Sequence, residues 1–371
     1  MPVSARLFGT VVKYGKAFVA VAFMLLPVSA RCAPWLRGAP EEAGFRRDGL
    51  AELDNFMRGN TGTTGLVIAV NGRIVHTYGN IREVSYIASC RKSVLSMLYG
   101  KYVQQGKIRL DATMEELGID DVGGLLPQEK KATVLDLITA RSGVYHPAAN
   151  PGGIPKGSHY ERGATPPGTR FVYNNWDFNV AGTVFRKMTG QSVFQALKRD
   201  LADPLGMEDF KISRHKLSGN KKLSRHLAYH MWFSTRDMAR IGQLMLQKGA
   251  WNGQQLIPAE WVARSTAVTS PLDDPLHCGY GYMWWILRDE IYPEEFRGAF
   301  SASGRYGQAI TVFPALNMVV AHKSARNAKK PTSKAQYREI LRLIMKARRP
   351  APSEPAAPKK RHRRSSGKKA R

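Results

Sequence analysis

The sequence predicts an α+β fold, in which an antiparallel β-sheet is flanked by helices and carries a mostly helical inserted subdomain. Residues 65–78 contain two β-rich runs joined by Asn71-Gly72, a dipeptide typical of tight hairpins. Between Asp111 and about Ala263, apolar residues recur at helical spacing. Beta-rich runs return late in the chain, at 280–286, 309–313 and 318–322. Strands from the two ends of the chain would therefore share one sheet.

The helices are predicted from their apolar periodicity and their end signals. The first begins at Ser89, turns Val94, Leu95 and Leu98 inward, and stops near Gly106. The middle region has helical patterns at 134–138, 179–188, 193–201 and 235–247, and a closing helix is expected from about 333 to 347. The expected division is a sheet region at about 40–110 and 270–347, with a helical region at about 111–269.

The first 30 residues are typical of a secretory signal peptide. Basic residues precede the apolar run 17–26, and small residues before position 31 favour cleavage after Ala30. An uncleaved membrane anchor is the alternative, but the run is short for a span of about 20 residues. The prediction is a periplasmic or secreted protein whose mature domain covers residues 31–347.

Residues 348–371 form a basic tail with almost nothing to bury, and we expect this tail to be disordered. The tail carries a net charge of +9 and residues 1–30 carry +3 of the total +27, so residues 31–347 still carry +15. For an exported protein this charge suggests an anionic membrane or cell-wall surface as a partner. Nucleic acid is disfavoured because the basic run lacks interleaved aromatic residues.

Ser89 and Lys92 form an S-x-x-K pair where a small-residue segment becomes a helix. Residues three apart share a helix face, so the amine would lie beside the hydroxyl. A desolvated lysine has a lowered pKa and can take the proton of a serine, which makes the serine a nucleophile. The first-turn N–H groups would favour an oxyanion. Taken alone, the spacing also occurs on ordinary solvated helices.

A second element, Tyr173-Asn174-Asn175, follows a Pro-Pro-Gly loop and opens a helical pattern. With this Y-x-N, the chain resembles the penicillin-recognising serine hydrolases, the group of class C β-lactamases, D-alanyl-D-alanine carboxypeptidases, esterases and 6-aminohexanoate-dimer hydrolases. Other stretches similar to family landmarks are 137–143, 204–207, 233–240 and 281–285. The resemblance covers about residues 40–345 and implies a β-lactamase-like fold.

The resemblance also implies the roles of the site residues. Ser89 would attack a carbonyl carbon, Lys92 and Tyr173 would share proton transfer, and Asn175 would orient the lysine and the substrate. A tyrosine near two cations is expected to have a lowered pKa, towards that of a useful base. Read without the other motif, Tyr173 would be an ordinary core aromatic.

The third family element, usually Lys-Thr-Gly or His-x-Gly on a strand, differs here. Its counterpart is Ala302-Ser303-Gly304, followed by Arg305. Gly304 would let substrate approach the strand backbone, and a nearby N–H would complete an oxyanion hole with that of Ser89. The lost cation weakens recognition of a substrate carboxylate unless Arg305 replaces it. The Gly-x-x-Gly-Gln form resembles the esterase and 6-aminohexanoate-hydrolase branch, which favours a substrate other than a β-lactam.

The histidines and cysteines do not indicate a metal site or another cofactor. His226 and His230 are four apart and could face one metal ion if the segment were helical, but no further ligands accompany them. His226 reads as a hydrogen-bonded pocket residue, and His230 as a candidate substrate contact. Cys32, Cys90 and Cys278 have no metal-ligand spacing, and their pairing is left open. Cys90 adjoins the nucleophile, but the lysine spacing favours Ser89.

Three functions are consistent with these motifs. The first is an exported serine hydrolase that cleaves a small amide or ester through an acyl-enzyme on Ser89. The second is a β-lactamase or D-alanyl-D-alanine carboxypeptidase. The third is a catalytically silent protein that binds cell-wall polymer through its basic charge. Retention of Ser89, Lys92, Tyr173 and Asn175 together favours catalysis.

Overall fold

The computed structural model describes residues 35–150, 152, 160–325 and 331–348. The predicted signal peptide (1–30), Cys32 and the tail beyond Arg348 lie outside the described residues. The strands are β1 (Thr63–Val70), β2 (Arg73–Gly79), β3 (Ser85–Tyr86), β4 (Lys216–Ser218), β5 (Ala228–His230), β6 (Trp232–Phe233), β7 (Ala250–Trp251), β8 (Gln254–Gln255), β9 (Ser270–Pro271), β10 (His277–Tyr280), β11 (Trp285–Leu287), β12 (Phe300–Gly304), β13 (Gln308–Phe313) and β14 (Met318–Ser324).

The helices of the described residues are α1 (Arg47–Asn60), α2 (Cys90–Gln104), α3 (Val134–Ile138), α4 (Asn175–Thr189), α5 (Val193–Leu197), α6 (Asp203–Leu205), α7 (Thr235–Leu246), α8 (Ala259–Ser265) and α9 (Lys334–Arg348). A π-helical turn, Lys198–Ala202, joins α5 to α6. No helix among them is long and apolar enough to cross a membrane. The predicted helices at 134–138, 179–188, 235–247 and 333–347 are confirmed, with end shifts of a few residues.

One antiparallel sheet of eight strands organises the fold, in the order β2-β1-β14-β13-β12-β11-β10-β9. The predicted hairpin joins β1 to β2, and both Asn71 (φ 50°) and Gly72 (φ 72°) have the positive φ that such a two-residue turn requires. β1 also pairs with β14, from the far end of the chain. The prediction of one α+β sheet built from distant segments is therefore confirmed.

The sheet separates two hydrophobic clusters because successive side chains of a strand point to opposite faces. On β1, Leu66 and Ile68 join the cluster that includes side chains of α1 and α9, whereas Val67 joins the larger cluster around α2, α4 and α7. Helix α2 is buried along most of its length between β12 and the helices α4, α5 and α8. This burial places the start of α2 at the junction of sheet and helices.

One detail of the predicted fold was wrong. Residues 280–286 are not one strand, because β10 ends at Tyr280 and β11 starts at Trp285, with a turn between them in which Met283 has φ 62°. The middle region, predicted to be mostly helical, contains α3 to α8 and also the short strands β4 to β8. Its helix α7 packs on the sheet, where a Cβ on Gly242 would lie 2.5 Å from Val319 Cγ1. The division into a sheet and a helical region stays a prediction.

Candidate active site

Ser89 occupies the N-cap of α2, directly after a strained residue. Ala88 has φ 50°, a left-handed conformation uncommon for alanine, and this turns the chain from β3 into the helix. The backbone N–H of Ser89 therefore lies at the N-terminal end of a fifteen-residue helix. The partial positive charge of that end favours an anion beside Ser89.

Lys92 lies one turn into α2 and is almost completely buried, with 1% of its surface exposed. Its Nζ donates a hydrogen bond of 2.6 Å to the Tyr173 hydroxyl and one of 2.7 Å to Asn175 Oδ1. The amine also lies 4.0 Å from the ring centroid of Tyr173 and 4.2 Å from that of Phe178. The predicted S-x-x-K and Y-x-N motifs are thus joined by direct contacts.

The Y-x-N geometry follows from the way α4 begins. Asn174 caps this helix, because its side-chain oxygen accepts a hydrogen bond from the N–H of Trp176 at 3.0 Å. Its Nδ2 donates to the carbonyl of Val144 at 2.7 Å, which anchors the cap. Tyr173 therefore ends the preceding loop and Asn175 is the first helical residue. Both reach the Lys92 amine.

Burial sets the protonation state of the pair. Desolvation, with a smaller contribution from the neighbouring Arg91, lowers the pKa of Lys92 well below its ordinary value of 10.5. Desolvation raises the pKa of Tyr173 to about 12, although interactions with the Ser89 side chain and Arg91 act in the opposite direction. The expected lowering of the tyrosine pKa was wrong, because burial outweighs the nearby charge. A neutral amine beside a protonated tyrosine is therefore favoured.

The end of β12 closes the site from the sheet side. A Cβ on Gly304 would lie 2.8 Å from the Ile87 carbonyl oxygen and 3.0 Å from the Ser89 nitrogen, so only glycine allows this contact. After Gly304 the chain turns through Tyr306, which has φ 68°. The predicted counterpart of the third family element thus lies directly against the N–H of Ser89.

These residues surround one cleft with a volume of about 760 Å³. Of the predicted site residues, those in its wall are Ser89, Tyr173, Asn175, His230, Ser303, Gly304 and Arg305. Lys92 lies behind that wall and donates hydrogen bonds to Tyr173 and Asn175. His230 Nδ1 is 2.8 Å from the Tyr86 hydroxyl, so its ring is held at the cleft. Arg305 is exposed, with its guanidinium carbon 5.2 Å from the Tyr306 ring centroid.

The cleft also contains residues that sequence reasoning did not select. Those with aromatic or charged side chains include Tyr86, Arg91, Lys216, Trp232, His277, Trp285 and Lys334. Arg91 lies inside the S-x-x-K motif, so its position next to Lys92 was readable from the sequence. The aromatic residues carry no local signal, since they meet only when β3, β6, β10 and β11 are assembled. Behind the wall, the buried Asp177 accepts a hydrogen bond of 2.6 Å from Ser142.

Cys90 and His226 are held by hydrogen bonds away from the cleft. The Cys90 thiol is fully buried and donates to the carbonyls of Ala302 and Gln308, and burial raises its pKa. A protonated, enclosed thiol is a poor nucleophile. The His226 ring forms hydrogen bonds with Thr183 Oγ1 through Nδ1 (3.0 Å) and with the Asp120 carbonyl through Nε2 (3.1 Å). In the part of the chain that the structure describes, no group of three or more potential ligands could hold a metal ion.

The model of the Beta-lactamase family matches residues 51–343. The chain belongs to the beta-lactamase family. Similar solved structures support this fold at low identity. One is a proposed 6-aminohexanoate-dimer hydrolase from Bacillus anthracis, with 22% identity, a TM-score of 0.62, and coverage of 85% of this chain and 87% of that chain.

Two further structures are similar to this beta-lactamase family member. One is a penicillin-binding protein homologue from Caulobacter crescentus, with 14% identity, TM-score 0.59, and coverage of 84% of this chain and 98% of that one. The other is a tyrosine variant of a class C beta-lactamase, with 16% identity, TM-score 0.59, and coverage of 83% and 97%. The predictions of a β-lactamase-like fold and of a serine hydrolase related to this family are confirmed.

Proposed function

We propose that this chain is an exported serine hydrolase that cleaves a small amide or ester through an acyl-enzyme on Ser89. The observation that carries the proposal is the buried amine of Lys92, bonded to Tyr173 and Asn175 one helical turn from Ser89. A neutral amine has two N–H donors and one lone pair. The two hydrogen bonds use both donors, so the lone pair is left to accept the proton of Ser89.

Acylation then proceeds in balanced steps. The Ser89 oxygen bonds the substrate carbonyl carbon while its proton moves to Lys92, and the carbonyl electrons form an oxyanion. The bond to the leaving nitrogen or oxygen breaks, and that atom takes a proton relayed from Lys92 through the Tyr173 hydroxyl. A tyrosine with a pKa of about 12 stays protonated between turnovers. Tyr173 is therefore better suited to pass on a proton than to act as the general base. In deacylation a water molecule gives its proton to Lys92 and attacks the acyl carbon. The bond to Ser89 then breaks, the Ser89 oxygen regains a proton, and the carboxylic acid product leaves.

The oxyanion would be held between α2 and β12. The N–H of Ser89 lies at the helix N-terminus, and Gly304 brings the strand backbone against it. The N–H that follows Gly304, on Arg305, is our candidate for the second donor. Loss of one such donor typically costs about 10²- to 10³-fold in rate.

The substrate assignment rests on the shape and composition of the cleft. Aromatic side chains of Tyr86, Trp232 and Trp285 line it, and Ala302 takes the place of the lysine found in many penicillin-recognising enzymes. These features support an amide or ester with an apolar part. The likeness to a proposed 6-aminohexanoate-dimer hydrolase is consistent with a linear amide, at a level of identity that supports the fold alone.

A β-lactamase or D-alanyl-D-alanine carboxypeptidase activity is the second candidate. One observation favours it: Lys216 and Arg305 line the cleft, and neither forms an ion pair within the described residues. They would offer cations to a substrate carboxylate. Kinetics with nitrocefin, a p-nitrophenyl ester and a linear amide separate the candidates, and rapid turnover of nitrocefin alone would reverse our order.

The direct test is covalent labelling of the full chain with a fluorophosphonate, followed by mapping of the modified peptide. We expect an adduct on Ser89 and none in Ser89→Ala. Cys90→Ala is the matched control, because the buried thiol should be dispensable for labelling. A folded protein with no adduct would instead support the silent cell-wall-binding alternative.

Export and surface binding are part of the proposal and have separate tests. We propose that residues 1–30 direct export and that the basic tail binds anionic membrane or cell-wall polymer. N-terminal sequencing of the exported protein should start at residue 31. Removal of residues 349–371 should weaken binding to anionic vesicles and leave the labelling of Ser89 unchanged.

A further inference from the structure

A second cavity of about 260 Å³ lies outside the Ser89 cleft, between α4, the start of α5 and the β4–β5 ladder. Pockets for drug-sized ligands usually have volumes of roughly 300–1,000 Å³, so this one suits a small ligand. Its apolar wall consists of Val193, Phe194, Leu217, Leu227 and Tyr229. The hydroxyl-bearing residues Thr183 and Ser192 and three basic residues complete the lining.

The charge of this cavity has one sign. Arg186, Lys221 and Arg225 line it, and no Asp or Glu is among the described residues of its wall. None of the three forms an ion pair within 4 Å in the described part of the chain. Two acidic residues lie outside the wall but near it: Asp121 Oδ1 accepts the backbone N–H of Arg225 at 2.7 Å, and Arg225 helps to lower the pKa of Asp120. Three cations without ion pairs around one small cavity favour an anionic ligand.

The β4–β5 ladder forms the wall between this cavity and the Ser89 cleft. Side chains of a strand alternate between its two faces. Lys216 and Ser218 of β4 line the cleft, whereas Leu217 between them lines the second cavity. On β5, His230 lines the cleft and Tyr229 the cavity. The two spaces are therefore separate sites that share one thin wall.

The apolar part of the cavity is incompletely covered. Leu217 is 51% exposed although it pairs with the fully buried Tyr229 across the ladder. The Tyr229 ring packs against Gly182, where a Cβ would lie 2.5 Å from Cδ1, and the Arg91 guanidinium lies 4.4 Å from its centroid. A ligand with a short apolar chain would cover Leu217 and rest on a rigid floor.

We propose that this cavity binds a small amphiphilic carboxylate. The carboxylate would lie among Arg186, Lys221 and Arg225, and the alkyl chain would pack on Leu217, Leu227 and Phe194. The hydroxyl of Ser192, whose oxygen accepts the N–H of Phe194, is a further donor at the polar end, whereas Thr183 donates its proton to His226 Nδ1. This site is independent of the proposed hydrolase activity, since it lies behind the wall of the Ser89 cleft.

Isothermal titration of the full chain with octanoate tests the proposal, with octanol and inorganic phosphate as separate arms. We expect saturable binding of octanoate, at least tenfold weaker binding of octanol, and no measurable binding of phosphate. In Arg186→Ala/Lys221→Ala the octanoate affinity should fall at least tenfold. Leu217→Ser should also weaken it, because the alkyl chain loses its cover.

Controls locate the binding and keep the test independent of catalysis. Lys222→Ala removes an exposed lysine beside the cavity, and Arg305→Ala removes a cation of the Ser89 cleft. Both should bind octanoate as the unsubstituted chain does. An affinity unchanged in the double variant, or reduced by Arg305→Ala, would overturn the proposal. Equal binding of phosphate would also overturn it, since the site would then recognise charge alone. Thermal unfolding without ligand verifies that each variant is folded.

Discussion

The amine of Lys92 donates a hydrogen bond of 2.6 Å to the hydroxyl of Tyr173, across 81 positions of sequence. Both groups are buried, and their pKa values move in opposite directions relative to solution: that of Lys92 falls and that of Tyr173 rises. Desolvation disfavours the charged form of each group, so a neutral amine next to a neutral phenol is favoured. This pairing supports an assignment of Lys92 as proton acceptor and Tyr173 as proton relay.

Replacement of the amine should abolish chemistry without unfolding the protein. In Lys92→Met, labelling of Ser89 by a fluorophosphonate is expected to slow by about 10²- to 10⁴-fold, the usual loss for a general base. The free energy of unfolding should stay equal or increase, because an apolar chain replaces a desolvated amine. Lys107→Met, an exposed lysine just past α2, should label normally. Normal labelling of Lys92→Met would exclude the lysine as the base.

The contribution of the Tyr173 hydroxyl can be tested separately from that of the Tyr173 ring. Tyr173→Phe keeps the ring contacts with Phe178 and Trp285, whose centroids lie 4.9 and 5.3 Å away, and removes only the relay oxygen. Turnover of an amide is expected to fall more than turnover of a p-nitrophenyl ester, because the amine leaving group needs a proton and p-nitrophenolate does not. Equal losses for the two substrates, measured as kcat/KM, would contradict a relay role.

The pH profile of labelling should report the Lys92 titration. The reactive form is the neutral amine, so the rate rises with pH through the pKa of Lys92, at a value well below 10.5. Arg91 helps to lower that pKa, since a neighbouring cation disfavours the ammonium form. Arg91→Met should therefore move the inflection to higher pH. Arg91→Lys keeps the charge and should leave the inflection near its original position, and a shift of equal size in both variants would refute the electrostatic explanation.

Gly304 should not tolerate even a methyl group. A Cβ there would lie 2.8 Å from the Ile87 carbonyl and 3.0 Å from the Ser89 nitrogen, so Gly304→Ala must push β12 away from α2. We expect a loss of about 1–3 kcal/mol in the free energy of unfolding, typical of overpacking, and a lower rate of acylation. Gly59→Ala is the control, because a Cβ on Gly59 of α1 meets nothing within 4 Å.

Burial of Lys323 should make the free energy of unfolding depend on pH. This buried lysine donates to the carbonyls of Ser85 and Phe233, and desolvation lowers its pKa to about 7. Between pH 7 and its ordinary pKa of 10.5, the unfolded chain binds more protons than the folded one, so its contribution to stability rises with pH. Over that window the gain amounts to a few kcal/mol.

Comparison of denaturant unfolding at several pH values checks this contribution. Lys323→Met should lose the part of the slope between pH 7 and 10 that is due to the lysine. A slope identical to that of the unsubstituted chain would show that Lys323 keeps its proton in the folded state.

Much of the fold was predictable because its signals are local. Asn71-Gly72 produced the expected hairpin, since a two-residue turn needs positive φ at both positions. Apolar periodicity located α2, α4, α7 and α9 within a few residues. The run 280–286 was misread because β-rich composition does not reveal that the chain reverses at Met283. β10 and β11 pair antiparallel across this short turn, with Tyr280 opposite Trp285.

The candidate site, too, was partly predictable from the sequence and partly decided by tertiary packing. The resemblance to a known family selected Ser89 with Lys92, and Tyr173 with Asn175, and each pair is recognisable in the sequence because its members are neighbours along the chain. Protonation states were not accessible from the sequence, since desolvation depends on every segment that packs around a group. Tyr173 is the example: nearby cations predicted a lowered pKa, and complete enclosure raised it to about 12. The aromatic wall of the cleft and the cationic cavity behind β4 likewise exist only after distant strands and helices have packed together.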